Sequence, residues 1–104
     1  MPPALINLMD YFLDIYAWRP SAIITYSAGN FAGIRVIPQL REFLSEVGLS
    51  TIPSTLSFSK IQDTFDERGD LIDKTYEDRV DKFLNEAQWY AEALKKQKEK
   101  GLPR

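Results

Sequence analysis

The stretch "SAIITYSAGNFAGIRVIPQLREFLSEVG", Ser21 to Gly48, decides the fold. It opens on Ile23, Ile24, Thr25 and Tyr26, β-branched or aromatic residues in a short continuous run. Such a run predicts a strand over Ser21–Ser27, buried on both faces as in a parallel sheet. A loop of small residues follows. Then Ile34, Ile37, Leu40, Leu44 and Val47 recur near helical spacing, and Gly48 stops them. Pro38 lacks an amide donor and is tolerated only in a first turn. The regular helix is therefore expected to begin close to Pro38, after an irregular turn.

Working outward, Ala4 to about Tyr16 reads as a helix. Asn7, Asp10 and Asp14 form one polar stripe. Leu5, Leu8, Met9, Tyr11, Phe12, Leu13 and Ile15 give the rest an apolar surface. So wide a face predicts burial on more than one side, against a sheet and a partner subunit. Arg19-Pro20 ends that segment, because a residue before proline is pushed out of the helical region. Downstream, "LSTIPSTLSF" (Leu49–Phe58) reads as a second strand. Pro53 demotes it toward an edge or a bend. Ser59 to Asp73 is polar, with a turn around Gly69. From Lys74 or Thr75 to Lys98 a long helix is expected. Its Val80, Phe83, Leu84, Ala87, Tyr90, Ala91 and Leu94 recur at three and four. Glu77, Asp78 and Asp81 lead it and Lys95, Lys96 and Lys98 end it, as the helix dipole favours.

The order is α-β-α-β-α, an α/β arrangement with a parallel crossover, read as one domain over residues 1–104. Two parallel strands do not make a stable sheet alone. The chain therefore reads as a partial domain, needing strands from elsewhere.

Bulk composition narrows the chemistry. The 104 residues carry 13 basic and 15 acidic side chains, a net charge of −2 that gives no argument for nucleic acid or an anionic membrane. No apolar run approaches the ~20 residues of a membrane span. The amino terminus lacks the basic region of a signal peptide, so a cytoplasmic location is expected. The chain has no Cys and no His. Thiolate nucleophiles, disulfides and Cys-ligated zinc are excluded, and so is Ser-His-Asp catalysis from within the chain. No catalytic side chain and no metal ligand set is assigned.

Four readings of the loop Thr25–Arg35 compete. "TYSAG" approximates G-x-S-x-G, with Thr25 in place of the first glycine and Ser27 as nucleophile, but no base accompanies it. G-x-G-x-x-G and the P-loop pattern do not occur. A plain structural turn fits, since Gly29 and Asn30 tolerate left-handed backbone and Gly33 permits close packing. A platform for a flat ligand also fits. Open α/β sheets bind ligands beyond the carboxyl ends of their strands. Ser27, Ala28 and Gly29 are small enough for their amides to meet the edge of a ring, and Phe31 or Tyr26 to pack on its face.

At this loop the sequence resembles the NADPH-dependent FMN reductase family, which has a flavodoxin-like fold. The family's stretch resembling S-x-G-x-x-G-G-x-R is here Ser27-Ala28-Gly29-Asn30-Phe31-Ala32-Gly33-Ile34-Arg35, followed by Leu40-Arg41. Ala32 departs from the first glycine of the pair, and Pro38 is unusual. "LINLMDYFL" resembles the helix L-K-N-x-x-D-[WY]-L, with Ile6 in place of Lys. "FDERGDLIDK" and "RVDKFLNEAQWYAEALK" resemble the acidic turn and last helix. The resemblance implies a flavodoxin-like domain present as its carboxyl-terminal half, without the phosphate-binding loop. It implies a flavoprotein oxidoreductase passing hydride from NADPH or NADH through FMN to a quinone, azo or flavin acceptor. Ser27, Ala28, Gly29, Asn30, Phe31 and Gly33 would hold the cofactor, and a homodimer is expected. The role of Arg35 stays open between a phosphate contact and a solvated or dimer-facing side chain. The alternative function is a non-catalytic remnant that packs on or dimerises with a full-length flavodoxin-like partner.

Overall fold

A computed structural model describes residues 3–11, 15–29, 33–72 and 74–103. Helix α1 (Pro3–Asp10) precedes strand β1 (Pro20–Tyr26). A 3-10 turn, Ile34–Val36, leads into helix α2 (Ile37–Glu46). Strand β2 (Ser50–Phe58) follows, then a 3-10 turn at Ile61–Asp63 and helix α3 (Lys74–Glu99). β1 and β2 pair in parallel as a two-stranded sheet, joined by the α2 crossover. The architecture is the small α/β arrangement expected, consistent with a partial flavodoxin-like fold.

The irregular entry to α2 is as the sequence predicts. Pro38 lies in the first turn of α2, where its missing donor costs nothing, and the Ile34–Val36 turn fills the gap before it. At the other end Gly48 takes φ 98, and a Cβ there would lie 3.0 Å from the Cα of Ala17. Glycine is needed for both reasons.

Pro53 bends β2 through a bulge. Ser21 pairs with Thr51 and Ile23 with Thr55, so Ile52, Pro53 and Ser54 stand opposite Ala22 alone. Backbone groups in a bulge lose their ladder partners. Side chains replace them. The Arg41 guanidinium donates from Nη1 to the Ile52 carbonyl (3.2 Å) and from Nη2 to the Pro53 carbonyl (2.7 Å). The Ser54 amide donates to Glu86 Oε2 at 3.1 Å. Both neighbouring helices are thus tied to the irregular part of the strand.

The core is Ile52, Leu56, Phe58 and Phe83, with Tyr76, Val80, Ala87 and Tyr90 of α3 packed against it. Those α3 positions step by four, three, four and three, one face of a helix. Leu84 and Ala91 fall off that face and are exposed, which corrects the wider stripe expected. Across the sheet, Thr25 is buried and shares a 2.7 Å hydroxyl hydrogen bond with Ser57, its register partner.

Two burial expectations are not met within the single chain. β1 is not buried on both faces. Ile23 and Thr25 are buried, but Ile24 is 55% and Tyr26 68% exposed. Ile24 and Tyr26 share a face with Leu56 and Phe58, their register partners. The cover supplied by α3 is centred on β2 and stops short of them. α1 has no buried residue, and Leu8 is 60% exposed. One two-stranded sheet offers too little surface to cover so many apolar side chains. Residues 12–14, which the sequence assigns to the same helix, lie outside the described residues. No described helix is long and apolar enough to cross a membrane.

Candidate functional site

The site is built where both strands end. The Ser27 amide still donates to Phe58 O (3.0 Å), the last ladder contact. Beyond it the chain meets the turn that follows β2. The Ser27 carbonyl accepts from the Ile61 amide at 2.9 Å, and the Gly29 carbonyl from the Lys60 amide at 2.9 Å. The Ala28 carbonyl accepts from Gln62 Nε2 at 3.3 Å. Lys60 reaches this position through left-handed backbone, φ 47.

With these three carbonyls engaged, the amides of Ala28 and Gly29 carry no hydrogen bond to another described residue. Both residues are exposed. The Ser27 hydroxyl donates to the Gly29 carbonyl at 3.2 Å. That local contact belongs to a turn, not to an activated nucleophile, which needs a base within reach.

Gly29 and Gly33 do different work. A Cβ at Gly29 would meet no atom of the described residues within 4 Å. Gly33 has φ 71, and a Cβ there would sit 3.1 Å from the Tyr26 carbonyl. The loop closes back on the end of β1 at Gly33, and only glycine fits both the conformation and the space. The Gly33 carbonyl then accepts from the Val36 amide at 3.3 Å and starts the turn into α2.

Ser27, Gly29 and Gly33 line an open cavity of about 630 Å³ together with Ile34, Arg35, Val36 and Gln39. That volume lies in the range of small-molecule sites. Arg35 is its one charged residue among the described lining. An apolar groove of about 340 Å³, lined by Leu5, Ile24, Tyr26 and Leu40 among others, shares Gly33 and Val36 with it. Of the six residues expected from the sequence, three therefore meet at one cavity. Ala28 belongs to the loop but not to the cavity wall. Asn30 and Phe31 lie outside the described residues.

The sequence reading missed Ile34, Val36 and Gln39 on the helix side, and it missed the Lys60–Gln62 turn altogether. The one signal for the turn was its position just past the carboxyl end of a strand, where α/β sheets place their loops. Leu40-Arg41, part of the motif, was legible as a pair. Its Arg serves the β2 bulge rather than the cavity.

Backbone donors without a partner among the described residues and a cavity of about 630 Å³ beside them suit the edge of a flat ring bearing hydrogen-bond acceptors. The family model described as NADPH-dependent FMN reductase matches residues 1–63. The match takes in α1, β1, the loop, α2, β2 and the turn through Asp63. The acidic turn and α3, for which the sequence suggested the same resemblance, lie beyond it. No curated protein and no solved structure matches the chain.

Proposed function

Because the chain belongs to the NADPH-dependent FMN reductase family, we propose that the Ser27–Gly33 loop holds the ring of FMN for NAD(P)H-dependent reduction of a small acceptor, a quinone, an azo compound or a flavin. The family implies use of FMN and NAD(P)H. FMN, when bound, supplies the hydride and electron chemistry. The chain's residues bind and orient. The observation that supports the reading is the pair of amides at Ala28 and Gly29, without a hydrogen-bond partner among the described residues, beside an open cavity. These amides would donate to the acceptor edge of the ring. Gly29 adds no side chain there, and Gly33 sets the loop against β1. Asn30 and Phe31 complete the proposed set. No side chain is assigned a proton transfer.

Titration of the purified chain with FMN, followed by flavin fluorescence and absorbance, tests the reading. Saturable binding of a yellow species that NADPH bleaches is expected. No binding at high micromolar FMN sinks autonomous reductase activity.

A second reading is favoured by the exposed Ile24 and Tyr26 of β1. Here the chain corresponds to the carboxyl-terminal half of the family's domain and completes its sheet on another flavodoxin-like polypeptide, without tight FMN binding of its own. A homodimer is part of the first reading. Sedimentation distinguishes them: a flavin-binding species of twice the 12.0 kDa chain mass supports the first. A flavin-free monomer that binds FMN only when mixed with an intact family member supports the second.

A further inference from the structure

We propose that Gln62 is a positioning residue for the loop, holding the Ala28 carbonyl so that the Gly29 amide is presented to the ligand beside the Ala28 amide, which the Ile61 tie orients. The identity of that ligand rests on the FMN reading above; the geometry does not.

Three consecutive loop carbonyls, those of Ser27, Ala28 and Gly29, are held by three consecutive residues. The donors are the Ile61 amide at 2.9 Å, Gln62 Nε2 at 3.3 Å and the Lys60 amide at 2.9 Å. In a planar trans peptide the C=O and the N–H of one unit point in opposite directions. Tying the Ser27 and Ala28 carbonyls to the turn therefore turns the Ala28 and Gly29 N–H groups away from it. The left-handed backbone of Lys60 brings the donors into line. Two of the three ties use backbone amides, which almost any residue supplies. The middle one uses a side chain, so the residue type at 62 governs whether the Ala28 peptide keeps its orientation. Ser27, Gly29 and Gln62 all lie within the family match, which ends at residue 63.

A neutral hydrogen bond of this length on an exposed residue contributes little to stability. Its effect is on the direction of one peptide plane, and the test reads direction. Gln62→Met removes the donor at similar length and without a charge; Gln62→Lys keeps a donor. In the flavin-free protein, the amide ¹H–¹⁵N resonance of Gly29 is expected to move in Gln62→Met, while those of Thr25 and Phe83 and the thermal midpoint stay. FMN binding is expected to weaken about three- to ten-fold, with a changed visible spectrum of the bound flavin. Gln62→Lys is expected to restore the Gly29 resonance. An unmoved Gly29 resonance in Gln62→Met overturns the positioning role. Equal FMN affinity and spectra in wild type and Gln62→Met overturn its consequence for the ligand. A wild type that binds no FMN, with a Gly29 resonance that still moves in Gln62→Met, overturns the flavin reading and upholds the positioning role.

Discussion

Two glycines in one loop carry opposite burdens, and substitution separates them. Gly33→Ala puts a side chain at φ 71 and within 3.1 Å of the Tyr26 carbonyl. A loss of about 1–2 kcal/mol is expected from the backbone alone, read as a lower urea midpoint. Gly29→Ala meets no described residue within 4 Å. Its stability is expected to stay within about 0.5 kcal/mol of wild type, while FMN affinity falls because the methyl group stands beside the amide donors. Equal stability of the two variants would contradict the packing at Gly33. In the sequence both are simply glycines after a strand. The left-handed requirement at Gly33 arises from the return of the loop to β1, a contact between residues that local pattern does not encode. A chain without histidine leaves the Ser27 hydroxyl without its usual base, which is what turns the sequence reading toward the backbone.

Elements were more legible than the contacts that set their angles. Both strands, the turn before α2 and the long final helix follow from apolar runs, Pro38 and three-four spacing. What spacing does not rank is depth. Phe83 and Leu84 both fit the sequence stripe, yet Phe83 is in the core and Leu84 is exposed. Phe83→Ala is expected to cost about 3–5 kcal/mol and Leu84→Ala under about 0.5 kcal/mol, by thermal or urea unfolding. The bulge was half legible, since Pro53 announced a bend but not its support. Arg41→Ala leaves the Ile52 and Pro53 carbonyls without their donors, an expected loss of about 1–3 kcal/mol. Arg41→Lys is expected to recover less than half, because one ammonium does not reproduce a two-pronged guanidinium. Full recovery by Lys would show that charge, not the fork, braces the strand.

At the scale of the whole molecule, the two parallel strands expected from the sequence are the two that the described residues form. The burial expected of α1 and of both β1 faces was not met, for the same reason: apolar pattern reports what a segment is suited to cover, not whether a neighbour is present to be covered. Tyr11 at 82% exposure and Ile24 at 55% are the result. β1 makes this one-sidedness measurable in time. The Ser27 amide faces β2 through Phe58 O, so by alternation Thr25 does too, while Ile24 and Tyr26 direct theirs to the opposite edge. In deuterated solvent, Thr25 and Ser27 are expected to keep their amide hydrogens long after Ile24 and Tyr26 have lost them. A chain that acquires a strand on that edge would slow the fast pair alone. The alternation thus serves as a clock for the arrival of a neighbour, one readable without knowing beforehand which molecule brings it.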